Sequence, residues 1–395
     1  MSSAPAATAP SGALSGARAG VLELREVAKR YSRDGPPAVD GLSLTVPGGQ
    51  VCVLIGPSGC GKTTALKMIN RLIEPTSGEI LIDGRSVRER NPAQLRREVG
   101  YVIQQVGLLP HLTIIANIAT VPRLLGWDKD RIRVRARELM VLIGLDPDEY
   151  SNRYPAQLSG GEQQRVGLAR ALAADPPVML MDEPFSAVDP ITRERLQNDF
   201  LHLHRAVPKT VVFVSHDIDE AVKMADRIAV MRDGHLVQFA TPAELLANPA
   251  DEFVADFVGA DRALKSLSLT RLEEIDLVEP PLVRVGEPVS AVRARIASGA
   301  LEPIDGAVLV VDGAGRPLDW IPVARLDDAP TVPLRPPGGA EPVIDRVTTL
   351  RDALSAIFEA NSAYGTVVEG GRCIGLVSAS EIAAGFRRAG ATADA

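Results

Sequence analysis

Val51-Cys52-Val53-Leu54-Ile55-Gly56-Pro57-Ser58-Gly59-Cys60-Gly61-Lys62-Thr63-Thr64 is the stretch that decides the fold. Its first five residues are a short, continuous apolar run rich in β-branched side chains, the pattern of a strand buried on both faces. The next eight fill every fixed position of G-x-x-x-x-G-K-[ST]. Thr63 to Leu72 then reads as a helix, with Leu66, Ile69 and Ile73 at helical spacing. Strand, glycine loop and helix in that order form the context in which the pattern cradles phosphates. Gly56, Gly59 and Gly61 let backbone N–H groups approach a phosphate closely, and Pro57, Ser58, Cys60 and Thr64 complete the loop. The helix N-terminus adds partial positive charge. Lys62 would reach the β- and γ-phosphates of a nucleotide, and the Thr63 hydroxyl would hold Mg²⁺.

Two more apolar runs end in polar residues. Val178-Met179-Leu180-Met181 leads into Asp182-Glu183-Pro184, and Val211-Val212-Phe213-Val214 leads into Ser215-His216-Asp217. Open parallel sheets place ligand groups at strand ends. Asp182 would hold the hydration shell of Mg²⁺. Glu183 would face elsewhere, since successive strand side chains alternate, and would polarise an attacking water. His216 would contact the γ-phosphate. Ahead of both runs lies Leu158-Ser159-Gly160-Gly161-Glu162-Gln163-Gln164-Arg165, with a helical pattern from Glu162 to Ala174. Ser159, Gly160 and Gly161 thus offer a second helix N-terminus to a phosphate.

Taken together, these motifs resemble those of the ABC (ATP-binding cassette) ATPases over roughly residues 21 to 258. The resemblance implies an α/β P-loop NTPase, a RecA-like core with a helical subdomain at about 105–175, with ATP and Mg²⁺ as cofactors. Gly56 to Thr63 matches Walker A, and Asp182 ends Walker B. Glu183 matches the catalytic glutamate, His216 the switch histidine and Ser186-Ala187-Val188-Asp189 the D-loop. Gln104 matches the Q-loop glutamine, which contacts Mg²⁺ and links the site to a transmembrane partner. Tyr31 lies where the family stacks an aromatic ring on adenine, although a lone Tyr near a strand also packs for ordinary reasons. In the family, Ser159 to Gly161 complete the ATP site of a second copy of the subunit.

The chain has 395 residues, enough for two or three domains, and a net charge of −7 that gives no hint of a nucleic-acid surface. Cys52, Cys60 and Cys373 have neither disulfide nor metal-ligand spacing, as expected in a reducing cytoplasm. Residues 1–20 are mostly Ala, Ser, Gly and Pro with one Arg; they lack the apolar core of a signal peptide and read as a disordered tail. No apolar stretch approaches the roughly 20 residues that span a bilayer, so a membrane role would come through a partner. Arg131 to Gly144 reads as an amphipathic helix ending at glycine. The segment matches the helical subdomain of the ABC ATPases, and the resemblance implies that its start, Leu108-Leu109-Pro110-His111-Leu112-Thr113, lines a groove for a membrane subunit.

After about Gly259 the pattern changes. Val310-Val311-Asp312-Gly313-Ala314-Gly315-Arg316-Pro317-Leu318 echoes Val367-Val368-Glu369-Gly370-Gly371-Arg372-Cys373-Ile374. Each echo belongs to a helix–strand–turn–strand unit, about 267–328 and 343–388, within residues 262–390. The pair resembles an α+β tandem CBS (Bateman) module, whose members often bind adenosine-type ligands through Ser or Thr and an acid three residues on. Ser378 and Glu381 fit that spacing. Pro322 and Arg325 occupy the matching places in the first unit and do not. Ligand binding and mere packing both remain open for the module.

A cassette joined to a CBS pair resembles the ATPase subunits of quaternary-amine importers for glycine betaine, carnitine, choline or proline betaine. Such a subunit sits on the cytoplasmic face of the membrane, with a second copy, permease subunits and a solute-binding protein as partners and no nucleic acid. Cassettes for amino acids or polyamines share most of these letters. A soluble cassette ATPase acting on DNA or ribosomes would carry long coiled coils, zinc modules or paired cassettes, and a sensor without turnover would not need Glu183 and His216.

Overall fold

In a computed structural model the described residues are 19–103, 107–186, 188–328, 330–334, 339 and 342–393. The chain divides into two compact units, Met1–Val258 and Gly259–Ala395.

The first unit is built on two sheets. Strands β1 (Leu22–Lys29), β2 (Val39–Val46), β4 (Ser77–Ile82) and β5 (Arg85–Ser86) form an antiparallel sheet in the order β2-β1-β4-β5. Strands β3 (Val51–Ile55), β6 (Gly100–Val102), β7 (Val178–Asp182), β8 (Thr210–Val214), β9 (Arg227–Arg232) and β10 (His235–Ala240) form the second, in the order β10-β9-β3-β8-β7-β6. Its pairs are parallel except β9 with β10. Every residue of β3 and β8 is buried, which is why their sequences are unbroken apolar runs rather than alternating ones. The apolar faces of the two sheets share a core that includes Leu22, Leu42, Leu54, Leu66, Ile82, Leu180 and Val214.

Register sets the site. Leu54 of β3 and Asp182 of β7 both pair with Val214 of β8. Three parallel strands therefore end at one level, and the chain leaving each enters the same edge of the sheet.

The helix after the glycine loop runs Lys62–Ile69 rather than to Leu72. Arg71 adopts φ +48 and breaks the ladder, and its guanidinium donates to the carbonyls of Val87, Arg88 and Arg90 at 3.1, 3.3 and 2.7 Å. Helices Ile114–Ile118, Thr120–Leu124, Lys129–Leu142 and Gly160–Leu172 form the helical part. Asp128 caps the third of these by accepting the N–H groups of Asp130 and Arg131, and Gly144, at φ +71, follows its end. Asn117 is fully buried and folds the preceding loop around itself. Its side chain accepts Leu109 N–H at 2.8 Å and donates to the carbonyls of Leu109, Leu112 and Thr113.

The second unit holds two three-stranded sheets of the same plan. In one, β11 (Leu282–Arg284) pairs parallel with β12 (Ala307–Val311), which pairs antiparallel with β13 (Pro317–Pro322). In the other, β14 (Val343–Asp345), β15 (Gly365–Glu369) and β16 (Arg372–Val377) repeat that order. Helices Val289–Ala297 and Leu350–Glu359 follow the first strand of each. Leu309, Val311, Cys373 and Leu376 pack between the halves. The segment ahead of the first sheet crosses over. Val278 exchanges backbone hydrogen bonds of 2.9 Å with Leu376, and Leu267 and Leu272 pack with the core of the second sheet rather than the first.

Candidate functional site

The glycine loop leaves β3 with a conformation its sequence makes possible. Gly56 has φ +143, and a Cβ there would lie 2.1 Å from the Met231 carbonyl oxygen. Gly61 has φ +105, and its Cβ would lie 2.3 Å from the Ala38 carbonyl oxygen. A side chain is therefore barred at both positions by conformation and by space. Gly61 caps the following helix, so the first free N–H groups of that helix open toward the loop. Lys62 is buried, and its ammonium donates to the carbonyls of Gly56 and Pro57 at 2.6 and 2.9 Å.

Thr63, one residue on, donates its hydroxyl to Asp182 Oδ1 at 3.1 Å. Two oxygen donors, a hydroxyl and a carboxylate, thus stand together at the ends of β3 and β7, the hard ligand set that Mg²⁺ takes. Tyr101 of β6 stands nearby. Burial pushes its phenol up to about 12, with the Asp182 charge adding to the shift.

Glu183 is separated from Asp182 by a different device from the one expected. Strand alternation does not operate, because β7 ends at Asp182. Glu183 lies in the left-handed region at φ +46, a conformation that costs a non-glycine residue about 1–3 kcal/mol and clusters at functional sites. Its N–H donates to the Val214 carbonyl at 3.1 Å, and the Ser186 hydroxyl donates to its carbonyl at 3.0 Å. The turn delivers the Glu183 carboxylate to His216, with Oε2 3.7 Å from Nδ1. His216 is 63 % exposed and Glu183 26 %, so this pair faces solvent from the sheet edge. Gln104 lies outside the described residues, as does Ala187 of the D-loop. Tyr31 is 66 % exposed just past β1, with the Lys29 ammonium 5.3 Å above its ring.

Ser159 caps the helix Gly160–Leu172 in a capping box. Its N–H and hydroxyl donate to Glu162 Oε2 at 2.7 and 2.8 Å, and it accepts Glu162 N–H at 3.3 Å. Those bonds hold the Glu162 carboxyl below its usual range. The Tyr150 hydroxyl donates to the other oxygen, Oε1, at 2.9 Å. Ser159, Gly160 and Gly161 line a cleft of about 530 Å³ together with Asp189 and Thr192, and none of Gly56–Thr64 is among its lining residues. Sequence reasoning missed Gln164. It is buried in the same helix and donates to the Pro184 carbonyl, next to Glu183. A single Gln inside a helical pattern carries no periodic signal that would have marked it.

In the second unit, Ser378 and Glu381 stand together at the start of the helix Ala379–Ala393. The Ser378 N–H donates to Glu381 Oε2 at 3.1 Å, and its hydroxyl donates to the same oxygen. The spacing that suggested a ligand pair therefore also meets the needs of a helix N-terminus.

No helix of the described residues is long and apolar enough to cross a membrane. The family model described as ABC transporter matches residues 39–186. The osmoprotectant import ATP-binding protein OsmV of Salmonella typhimurium is 48 % identical over 375 residues, 92 % of this chain and 95 % of that protein. The glycine betaine/carnitine/choline transport ATP-binding protein OpuCA of Bacillus subtilis is 52 % identical over 271 residues, 69 % of this chain and 70 % of that protein. The choline transport ATP-binding protein OpuBA of the same organism is 43 % identical over 376 residues, 92 % and 95 % of the two chains. Among solved structures, a dimeric bacterial ABC transporter cassette matches with a TM-score of 0.50 and 35 % identity over 56 % of this chain and 98 % of its own. A cassette from Clostridium perfringens, part of an ABC transporter complex, shares the fold at a TM-score of 0.55 and 23 % identity, over 64 % and 96 % of the two chains. A near-full-length relative at 48 % identity, named as an import ATP-binding protein, is decisive: this chain belongs to the ATP-binding subunits of ABC transporters.

Proposed function

We propose that the chain is the ATP-hydrolysing subunit of an importer that takes up a quaternary-ammonium osmoprotectant of the glycine betaine, carnitine, choline or proline betaine type. The observation that carries this is the convergence at one sheet edge of Thr63 with Asp182, at 3.1 Å, and of Glu183 with His216, at 3.7 Å. The transport roles for which the relatives are named support the solute class.

In this reading the N–H groups of the Gly56–Thr64 loop, of which Pro57 has none, and the Lys62 ammonium bind the triphosphate, and Tyr31 stacks on adenine. Thr63 and Asp182, with Gln104, would hold Mg²⁺, which would neutralise phosphate charge. Glu183 orients and deprotonates the attacking water, and His216 contacts the γ-phosphate. Ser159, Gly160 and Gly161 of a second copy close the site, which accords with a signature cleft that shares no lining with the phosphate loop. The subunit is peripheral, on the cytoplasmic face, and its Leu108–Thr113 loop, braced by Asn117, meets the permease. Aromatic residues are only 4 % of the chain, too few for the cages that hold trimethylammonium groups, so solute choice rests with the permease and a solute-binding protein. The second unit is a tandem CBS module, and an adenosine-type nucleotide at Ser378 and Glu381 is its proposed ligand.

Glu183→Gln tests the assignment. Loss of the general base is expected to lower ATP turnover by at least about 10²-fold, with ATP affinity within about threefold and a trapped dimer. Normal hydrolysis by that variant overturns the role of Glu183.

A further inference from the structure

A buried polar contact behind His216 has no part in the chemistry above. The helix Pro190–Ala206 begins directly after Asp189, and the helix Ile218–Met224 begins directly after Asp217. Gln197 of the first donates its amide to Glu220 Oε1 of the second at 3.0 Å. Gln197 is 6 % exposed and Glu220 7 %, so neither can leave the other without stranding a polar group away from water. The Ser215 hydroxyl accepts the Asp217 N–H at 3.0 Å, the Asp217 carboxylate accepts the Glu220 N–H at 3.2 Å, and the Ser215 N–H is fixed to the Leu54 carbonyl of β3 at 3.0 Å. Nearer the surface, Arg193 donates to the Val188 carbonyl at 3.2 Å and sets its guanidinium 3.9 Å from Asp217 Oδ2. His216 thus lies between Ser215 and Asp217, which bond to each other, and Asp217 in turn meets the Glu220 N–H and the Arg193 guanidinium. The other end of that network is the D-loop.

We propose that Gln197, Glu220 and Arg193 are positioning residues that fix His216 opposite Glu183 and make its position depend on the helix Pro190–Ala206. Asp189 and Thr192, at the start of that helix, line the same cleft as Ser159 to Gly161. Whatever seats on that cleft displaces the N-terminal end of the helix. The Gln197–Glu220 bond and the Arg193 contacts then carry the displacement to the residues on both sides of His216. The buried Gln197–Glu220 bond transmits a shift rather than absorbing it, because parting the two would strand a polar group away from water. The inference rests on the reading that Glu183 and His216 act on ATP.

The test is steady-state ATP hydrolysis by the full chain, with folding followed by circular dichroism. Gln197→Met and Glu220→Met are each expected to lower kcat about tenfold with KM for ATP within about twofold, the pattern of a lost transition-state interaction. The double variant is expected to fall no further than the lower single, since the partners act as a unit. Glu220→Gln, which keeps the acceptor oxygen for Gln197, is expected to retain kcat within about threefold. In a His216→Ala background, Gln197→Met is expected to change kcat by less than about twofold, because its effect runs through that histidine. Arg193→Gln, at a partly exposed site, carries the same expectation of lower kcat at unchanged KM should the buried variants fold poorly. Unchanged kcat in folded Gln197→Met and Arg193→Gln overturns the linkage, and so does a full additional loss in the His216→Ala background. A wild-type chain that does not hydrolyse ATP overturns the functional reading itself.

Discussion

Gly61→Ala is the sharpest test of the loop geometry. Alanine at φ +105 carries backbone strain of about 1–3 kcal/mol. Its Cβ would also sit 2.3 Å from the Ala38 carbonyl oxygen, well inside contact distance. Ala38 cannot yield freely, because its N–H is bonded to the Lys29 carbonyl at 2.8 Å and the next residue enters β2. Relief of such an overlap costs about a further 1–3 kcal/mol. Gly59→Ala is the built-in control. Gly59 also has positive φ, at +82, yet nothing lies within 4 Å of a Cβ there, so only the strain applies. The two variants should therefore differ by about 1–3 kcal/mol, or about 2–12 °C in Tm at roughly 2–4 °C per kcal/mol for a unit of this size. Differential scanning calorimetry of both variants, with urea unfolding as a second measure, reads the difference directly. Equal midpoints for Gly59→Ala and Gly61→Ala would refute the claim that backbone approach, rather than conformation alone, dictates glycine at 61.

Ser159→Ala removes a helix cap worth about 1 kcal/mol and should lower Tm by about 2–4 °C, while lowering ATP turnover by much more than that loss explains. The Tyr101 phenol is neutral in the folded chain up to about 12, above its unfolded value of about 10, so its contribution is complete below about pH 10 and disappears as pH rises toward 12. Unfolding free energy measured across that window should fall more steeply for wild type than for Tyr101→Phe; parallel curves would remove Tyr101 as the cause. Equilibrium binding of AMP to the full chain should weaken at least about fivefold, some 1 kcal/mol, with Glu381→Ala if Ser378 and Glu381 hold a nucleotide, and unchanged binding would leave the pair as a helix cap alone.

The central strands were legible in the sequence because β3, β7 and β8 are buried nearly throughout, so each is an unbroken apolar run. Their polar followers marked the sheet edge where Thr63, Asp182, Glu183 and His216 now stand. The end of the first helix was not legible, since Arg71 stops it through carbonyls of the Val87–Arg90 segment, a tertiary cause with no local letter. The separation of Asp182 from Glu183 was expected for the wrong reason, strand alternation in place of a left-handed residue at the strand end. Gln197 and Glu220 are 23 residues apart and obey no period. Asp217 and Glu220 have the spacing of an ordinary cap, and only the fold reveals that Glu220 turns inward. The repeat after residue 260 was visible as an echo of letters. The crossing of Leu267 and Leu272 to the second sheet was not, because nothing in an apolar residue specifies which of two similar cores it joins.

The order of strands in the six-stranded sheet bears on how the chain is made. Strand β3 lies at its middle, yet both its neighbours, β8 and β9, come more than 150 residues later. At roughly 5–20 residues per second of translation, an all-apolar segment waits about 8–30 s for its pairing edges to emerge. During that interval the strands β1, β2 and β4 and the helix Lys62–Ile69, which share its core, can shelter it. Conditions that slow the ribosome between Ile55 and Thr210 should therefore raise the aggregated fraction of newly made chain, and holdase chaperones should find their first purchase there.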